Sequence, residues 1–357
     1  MPDLSPVVFA LPGKLTDVTG GTRYDRQLCD ALRDLGHRVE VLELAGTFPE
    51  PKQCEIDKAI ERLASVPRDS VLIVDGLALG ALPSDGLRGV SAPVVAMLHH
   101  PLGLETGLRP ERQQALIESE RAALACAARV LVPSPHVART TEALFGVPHS
   151  RITVARPGVM QRSADRGNGV GKPADPPLIL SVGLLHPRKG HDILLAALSG
   201  LTDLRWQAKI IGRAHDPDEA LRLQRMITQL RLSERVTLAG QVPECELLDD
   251  YERASIFALA TRYEGYGLVF DEALLHGLPI VSCHVGAVPD TVPETAGYLV
   301  PPDDAKALAA ALHRVLSDPF EHARLAKSAR DAGRALPGWT ETAQSVSAVL
   351  NQLHLGS

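Results

Sequence analysis

Aromatic residues are scarce, with 2 Trp, 5 Tyr and 6 Phe in 357 residues, or 4%. Such a chain lacks the stacking platforms by which proteins hold single-stranded nucleic acid. A basic surplus is missing too: 37 Lys and Arg stand against 43 Asp and Glu, for a net charge of −6. No global field therefore draws a polyanion, and no nucleic-acid partner is expected. Cysteine is sparse and scattered, at Cys29, Cys54, Cys126, Cys245 and Cys283, with no Cys-x-x-Cys pair. That pattern implies neither a zinc site nor a disulfide framework, and points to reduced thiols and a cytoplasmic protein. No apolar run approaches the roughly 18 residues of a membrane span. Met1 to Leu11 has no basic segment ahead of a long apolar stretch, so it does not read as a signal peptide. Peripheral contact is the membrane association left open.

What is present is ordinary for a soluble globular chain: 45% hydrophobic and 22% charged residues. The length predicts two domains at roughly 100–200 residues each. Short apolar runs alternate with helical patterns, the signature of parallel α/β architecture. Pro6 to Leu11 reads as a first strand, followed by a glycine-bearing loop, a helix over Arg23 to Leu35 and strands at Val39 to Leu44, Ser70 to Val74, Pro93 to Leu98 and Val130 to Val132. A long helix covers roughly Glu111 to Ala128. The run Arg162 to Pro177, rich in Gly, Pro and charge, reads as a linker over 161–177 between an N-terminal domain of 1–160 and a second domain of 178–337. The pattern then restarts, with strands at Leu178, Ala208, Val236, Ile256 and Pro279 and helices at His191, Asp218, Gly267, Ala305 and His322. The segment 338–357 reads as a closing helix packed back on the first domain.

Two glycine patterns are decoys. Gly167-Asn-Gly-Val-Gly171-Lys172 is followed by Pro173, lacks the phosphate-loop spacing and has no strand before it. Gly265-Tyr-Gly267 lacks the third glycine of a dinucleotide fingerprint, so a nicotinamide dehydrogenase is unsupported. The segment Arg262 to Gly286 is more informative. Glu264 and Glu272 have seven residues between them, which places Glu264 in a loop and Glu272 about one and a half turns into a helix starting near Gly267. The backbone N–H groups of Gly267, Leu268 and Val269 would form an anion site at that helix start, and Gly265 and Gly267 would let a ligand approach the backbone. Glu272 suits ribose hydroxyls and Glu264 sugar hydroxyls. From spacing alone, a solvated helix-start acid and an exposed helix face explain the two glutamates equally well.

The stretch EGYGLVFDEALLHGLPIVSCHVGAVPD resembles the Glu-(seven residues)-Glu segment of the family 4 retaining glycosyltransferases. Val182-Gly183 through His186-Pro-Arg-Lys-Gly190 is similar to that family's donor-phosphate loop, and Gly20-Gly21 to its N-terminal glycine loop. Val132-Pro-Ser134, Gly146-Val147 and Pro157-Gly158-Val159 resemble its pre-linker segment, and Gly297 to Pro302 its late strand. The resemblance covers most of the chain. It implies the α/β GT-B fold, two doubly wound Rossmann-like domains facing a central cleft, with the acceptor bound by the first and the sugar nucleotide by the second.

Several roles follow from the resemblance. Lys189 would meet the donor diphosphate, with Arg188 assisting, and Gly183 would let the loop approach it. Gly20 and Gly21 would open a helix aimed at the same diphosphate. His99 resembles the histidine that contacts the donor sugar near its reacting carbon, and Val242 resembles a base-contacting backbone position. Family members carry Arg directly after the loop glycine. Leu184 stands there in this chain, leaving Arg188 or Arg213 to replace the lost clamp. The implied catalytic set is His99, Lys189 and Glu264. The implied reaction is hexosyl transfer from a UDP- or GDP-hexose, with retention, to a small-molecule, glycan or lipid-linked hydroxyl acceptor. No metal and no cofactor is implied, and no Asp-x-Asp motif serving a nucleotide-bound metal is recognised. An epimerase of the same fold and a catalytically silent nucleotide-sugar-binding subunit remain alternatives.

Overall fold

The computed structural model describes residues 4–17, 19–159, 173–214 and 217–355. The Gly167–Lys172 decoy and most of the expected linker lie outside them. The chain divides into two compact units, Met1–Met160 with Pro337–Ser357 and Gln161–Leu336. Among the described residues no helix is long and apolar enough to cross a membrane.

The first unit is built on a six-stranded parallel sheet. Its strands are β1 (Val7–Pro12), β2 (Val39–Leu44), β3 (Val71–Asp75), β4 (Val94–Met97), β5 (Arg129–Val132) and β6 (Ile152–Val154), in the order β2-β1-β3-β4-β5-β6. Strands β3 and β4 are buried along their whole length. Apart from Asp75 at the end of β3, both are apolar throughout because helices cover both faces of the sheet. One layer packs Ala59, Leu63, Leu124 and Val137 on Val8, Leu72 and Val130. The other packs Leu28, Leu32, Val346 and Leu350 on Phe9, Ile73 and Val95. The last two come from the closing helix Trp339–Leu355, which therefore completes the core of the first unit. Thr342 Oγ1 ties it down, donating to Arg156 O at 2.7 Å.

The second unit repeats the plan with β7 (Leu178–Val182), β8 (Gln207–Ile211), β9 (Val236–Gly240), β10 (Ile256–Leu259), β11 (Ile280–Cys283) and β12 (Gly297–Val300), ordered β12-β11-β10-β7-β8-β9. Strands β7 and β10 are neighbours, although Lys189 and Glu264 in the loops that leave them are 75 positions apart in the chain. Succession runs outward from this pair in opposite directions, which makes it a switch point, where open α/β sheets leave a crevice at their strand carboxyl ends. Among the described residues six α-helices lack a counterpart in the pattern reading: Gln53–Ala64, Gly76–Leu79, Ser84–Arg88, Pro135–Phe145, Glu244–Arg253 and Val288–Thr291. Local start signals mark two of them. Ser134 accepts the N–H of Val137 as an N-cap, followed by Pro135 at the first helical position. Pro243 precedes an acidic first turn at Glu244 and Glu246.

Candidate functional site

In the second unit, the loop after β7 carries Gly183 through Gly190 and the loop after β10 carries Thr261 through Gly267. Strand adjacency brings Lys189 and Glu264 together: Lys189 Nζ donates to Glu264 Oε1 at 2.5 Å. Both side chains are largely buried, at 12% and 6% exposure. Thr261 Oγ1 donates to the same oxygen at 3.1 Å, and Arg188 Nη1 lies 3.8 Å from Glu264 Oε2. Burial alone would push this carboxyl up, but the Lys189 charge, then Arg188 and the hydrogen bonds from Lys189 and Thr261, hold it below the ordinary value. Its contribution to stability is thus present above the ordinary carboxylate range and lost as acid protonates it. Glu264 is not a solvated helix-start acid, since the residue is only 4% exposed.

The two loops are stitched along their length. Arg262 N–H donates to Arg188 O at 2.7 Å. Arg188 Nη1 donates to Tyr263 O at 3.1 Å, and the Arg262 guanidinium grips both oxygens of Asp192 at 3.1 Å. Gly190 has φ +65°, and a Cβ there would stand 1.9 Å from Ala260 O, so only glycine fits where the first loop crosses β10. A third loop buttresses the acid from behind, with Ala287 N–H donating to Glu264 O at 2.8 Å. At Gly286 a Cβ would meet that same carbonyl at 2.3 Å.

Around this pair the other expected donor residues fall into place unevenly. Gly183 is close, since a Cβ on it would lie 3.3 Å from Lys189 Cδ. The helix after Glu264 runs Leu268–Leu275 with Gly267 as its N-cap. Phe270 N–H turns back to Gly267 O at 2.9 Å, and the N–H groups of Leu268 and Val269 have no carbonyl a turn earlier in the helix to bond. Gly265 lies in the loop between. Glu272 lies within the helix Leu268–Leu275. It is half-buried rather than on an exposed face, and its Oε2 accepts from Tyr251 Oη at 2.8 Å. Val242 packs against the apolar cluster that contains Leu178, Phe257 and Phe270. Leu184, in place of the expected Arg, accepts at its carbonyl from His191 Nε2 at 3.1 Å. Burial drives the pKa of His191 down to about 4, so it is neutral and supplies no cation. The cation nearest Lys189 along the loop is Arg188.

The first unit holds the remaining candidates. The helix Gly20–Asp34 begins at the glycine pair, with Thr19 as N-cap in a reciprocal capping box with Thr22. Gly20 is exposed and Gly21 lies against the His99 ring. His99 follows β4 by two residues. Its Nε2 is 2.8 Å from Asp25 Oδ1 and 3.6 Å from Asp75 Oδ2. Burial works against a charged ring, yet the Asp25 charge and hydrogen bond, with Asp75 behind, raise its pKa above the ordinary value. Burial and the Asp25 charge push Asp75 up to about 7. His100 lies with its Nε2 3.6 Å from Glu105 Oε2. Sequence reasoning missed Asp25 and Asp75. The signal for Asp25 was its place at i, relative to Leu28 at i+3 and Leu32 at i+7, on the apolar stripe of its helix. One donor atom from each of Asp25, Asp75 and His99 lies within 4.8 Å of the others, near enough to hold a metal ion. Asp25 and His99 are, however, hydrogen-bonded directly to each other, the arrangement of a charge pair.

Comparison with known proteins bears on the family and the fold. The model described as "Glycosyl transferases group 1" matches residues 166–332, and that described as "Glycosyltransferase Family 4" matches residues 69–160. A D-inositol 3-phosphate glycosyltransferase of Xylanimonas cellulosilytica is 32% identical over 263 residues, 70% of this chain and 62% of that protein. The match therefore spans less than two thirds of the relative's length. The sucrose-phosphate synthase structure from Thermosynechococcus elongatus superposes with TM-score 0.80 at 23% identity, covering 98% of this chain and all of that one. Anabaena HepE, solved in complex with UDP-glucose, superposes with TM-score 0.75 at 18% identity, over 97% of this chain and 99% of the other.

Proposed function

Because the chain belongs to the family 4 glycosyltransferases of the GT-B fold, we propose that it transfers a hexosyl group from a nucleotide sugar to a hydroxyl acceptor. The transfer retains configuration at the anomeric carbon and needs no metal. One observation carries most of the weight: a buried, hydrogen-bonded Lys189–Glu264 pair beside a helix start at the carboxyl ends of adjacent strands β7 and β10.

The chemistry asked of such a site is to accept charge. As the bond from the anomeric carbon to the β-phosphate oxygen breaks, its electron pair goes to that oxygen. The acceptor oxygen bonds to the carbon on the same face, and its proton passes to the departing phosphate. The Lys189 ammonium, a compact donor of three hydrogen bonds, stabilises the growing phosphate charge, and the N–H groups of Leu268 and Val269 add the positive end of a helix. Glu264 orients Lys189 before the donor arrives and takes a sugar hydroxyl when it is bound. Glu272 binds the ribose, and Arg188 takes over from the arginine that Leu184 displaces. His99 meets the donor sugar.

The UDP and UDP-glucose complexes of HepE make UDP-hexoses the first donors to try. The naming of several relatives as D-inositol 3-phosphate glycosyltransferases makes a phosphorylated polyol the first acceptor. The test incubates the protein with UDP- and GDP-hexoses, with and without inositol 3-phosphate, in the presence and absence of EDTA. Expected are slow release of nucleotide and free sugar without acceptor, faster release with it, an α-linked product from an α-linked donor, and no effect of EDTA. Interconversion of nucleotide hexoses without release, or tight binding without turnover, refutes the proposal.

A further inference from the structure

The first unit keeps a carboxylate where its fold has no use for one. Asp25 is fully buried, on the helix face that otherwise presents Leu28 and Leu32 to the core. A buried carboxylate costs several kcal/mol unless paired, so an apolar residue would serve stability better. Its Oδ1 bonds His99 Nε2 at 2.8 Å, while its Oδ2 is buried with no hydrogen-bond partner among the described residues. The His99 ring is otherwise held by packing. It meets Tyr24 edge-on with centroids 5.0 Å apart, and its Cδ2 lies 3.5 Å from where a Gly21 Cβ would sit. Tyr24 is itself fixed by its hydroxyl, which donates to Ala155 O at 2.8 Å.

We propose that Asp25 is a positioning residue for the transfer reaction: it locks His99 in the Nε2-protonated form, which leaves Nδ1 as the ring nitrogen that meets the donor sugar. This rests on the reading of His99 given above. A carboxylate only accepts, so the nitrogen 2.8 Å away must carry the proton. Among the described residues Nδ1 makes no hydrogen bond, and the side chain keeps 20% of its surface exposed. Nε2 is thus committed inward and Nδ1 is left for a ligand. Asp75 is the second wall. Its Oδ1 accepts the N–H of Leu77 at 2.8 Å to start the short helix Gly76–Leu79, and its Oδ2 lies 3.6 Å from the same Nε2. Since Asp75 also has that structural duty, Asp25 gives the cleaner test. The logic is that of a carboxylate fixing a histidine tautomer in a hydrolase triad.

The test is ¹⁵N NMR of histidine-labelled full-length protein together with steady-state kinetics, on wild type, Asp25→Asn, His99→Ala and the double variant. Wild-type His99 should show protonated Nε2; a ring protonated at Nδ1 alone overturns the proposal without any variant. Asp25→Asn should give a mixed tautomer signature. Its kcat should fall roughly 10²- to 10⁴-fold, with donor KM changed less than tenfold. In the His99→Ala background the same substitution should cost no more than about threefold. Unchanged His99 signals in Asp25→Asn, wild-type kcat in that variant, or a full additional loss in the double variant each overturn it. Activity lost with EDTA and restored by a divalent ion also overturns it, because a metal would then occupy the two acids. If the wild type turns over no nucleotide hexose, the parent reading fails, while the NMR still decides the Asp25–His99 link.

Discussion

Replacing Lys189 by Met removes an ammonium and keeps most of the side-chain volume. Glu264 is then a carboxylate 4% exposed, with Thr261 Oγ1 at 3.1 Å and Arg188 at 3.8 Å as remaining partners. Removing one partner of a buried pair costs about 3–5 kcal/mol. The two surviving contacts place this case at the lower end, about 3 kcal/mol. For a unit of this size each kcal/mol moves Tm by about 2–4 °C, so the second unit should melt about 6–12 °C lower. The kinetic cost is separate. If Lys189 stabilises the departing phosphate, kcat falls at least about 10²-fold, or 2.7 kcal/mol of barrier, when assayed well below the new melting point. The double variant Lys189→Met with Glu264→Met separates the two effects. An apolar pair of similar volume should recover most of the lost Tm, because the orphaned charge is gone, while activity stays lost. Wild-type turnover in Lys189→Met, or activity returning with stability in the double variant, would show the pair to be structural and refute the phosphate role.

Four further outcomes are expected. Tyr251→Phe deletes the hydroxyl 2.8 Å from Glu272 Oε2, so donor KM should rise about fivefold, near 1 kcal/mol, with kcat little changed; an unchanged KM counts against Glu272 as a donor ligand. Gly190→Ala puts a Cβ 1.9 Å from Ala260 O at φ +65°, and calorimetry should show loss of at least about 2 kcal/mol together with activity; a stable, active variant contradicts the loop crossing. Leu350→Ala empties a fully buried site in the core that the closing helix shares with the first sheet, and urea unfolding should register about 2–5 kcal/mol. The last concerns pH. Glu120 accepts the N–H groups of Leu102 and Gly103 at 2.8 and 3.2 Å, yet burial raises its carboxyl from 4.5 to about 7. A raised acid binds its proton more tightly folded than unfolded, so its penalty grows as pH climbs from 4.5 to 7 and then levels. Wild-type stability relative to Glu120→Gln should therefore fall by about 3 kcal/mol across that window, and melts of both proteins at pH 4.5 and 7.5 that shift in parallel would exclude it.

Sequence alone determined the local facts. Continuous apolar runs such as Val71–Val74 and Ile256–Leu259 could only be strands covered on both faces. The 3.6-residue spacing of Leu28, Leu32 and Leu35 gave a helix, and the glycines at 183, 190 and 267 marked the loops that follow β7 and β10. Even the missed helix Gln53–Ala64 left its trace, in Ile56, Ile60 and Leu63 packed on one core cluster. Periodicity reports each residue's own neighbourhood, and no more. Lys189 and Glu264 are 75 residues apart, and Asp25 and His99 are 74 apart. Which side chain meets which depends on strand order, with β7 beside β10 in one sheet and β1, β3 and β4 side by side in the other. That order is a property of non-local pairing and core closure, which no window along the chain contains. So the tertiary structure alone decided that the loop acid is held by the loop lysine, and that the histidine after β4 is gripped by a carboxylate from the helix after β1.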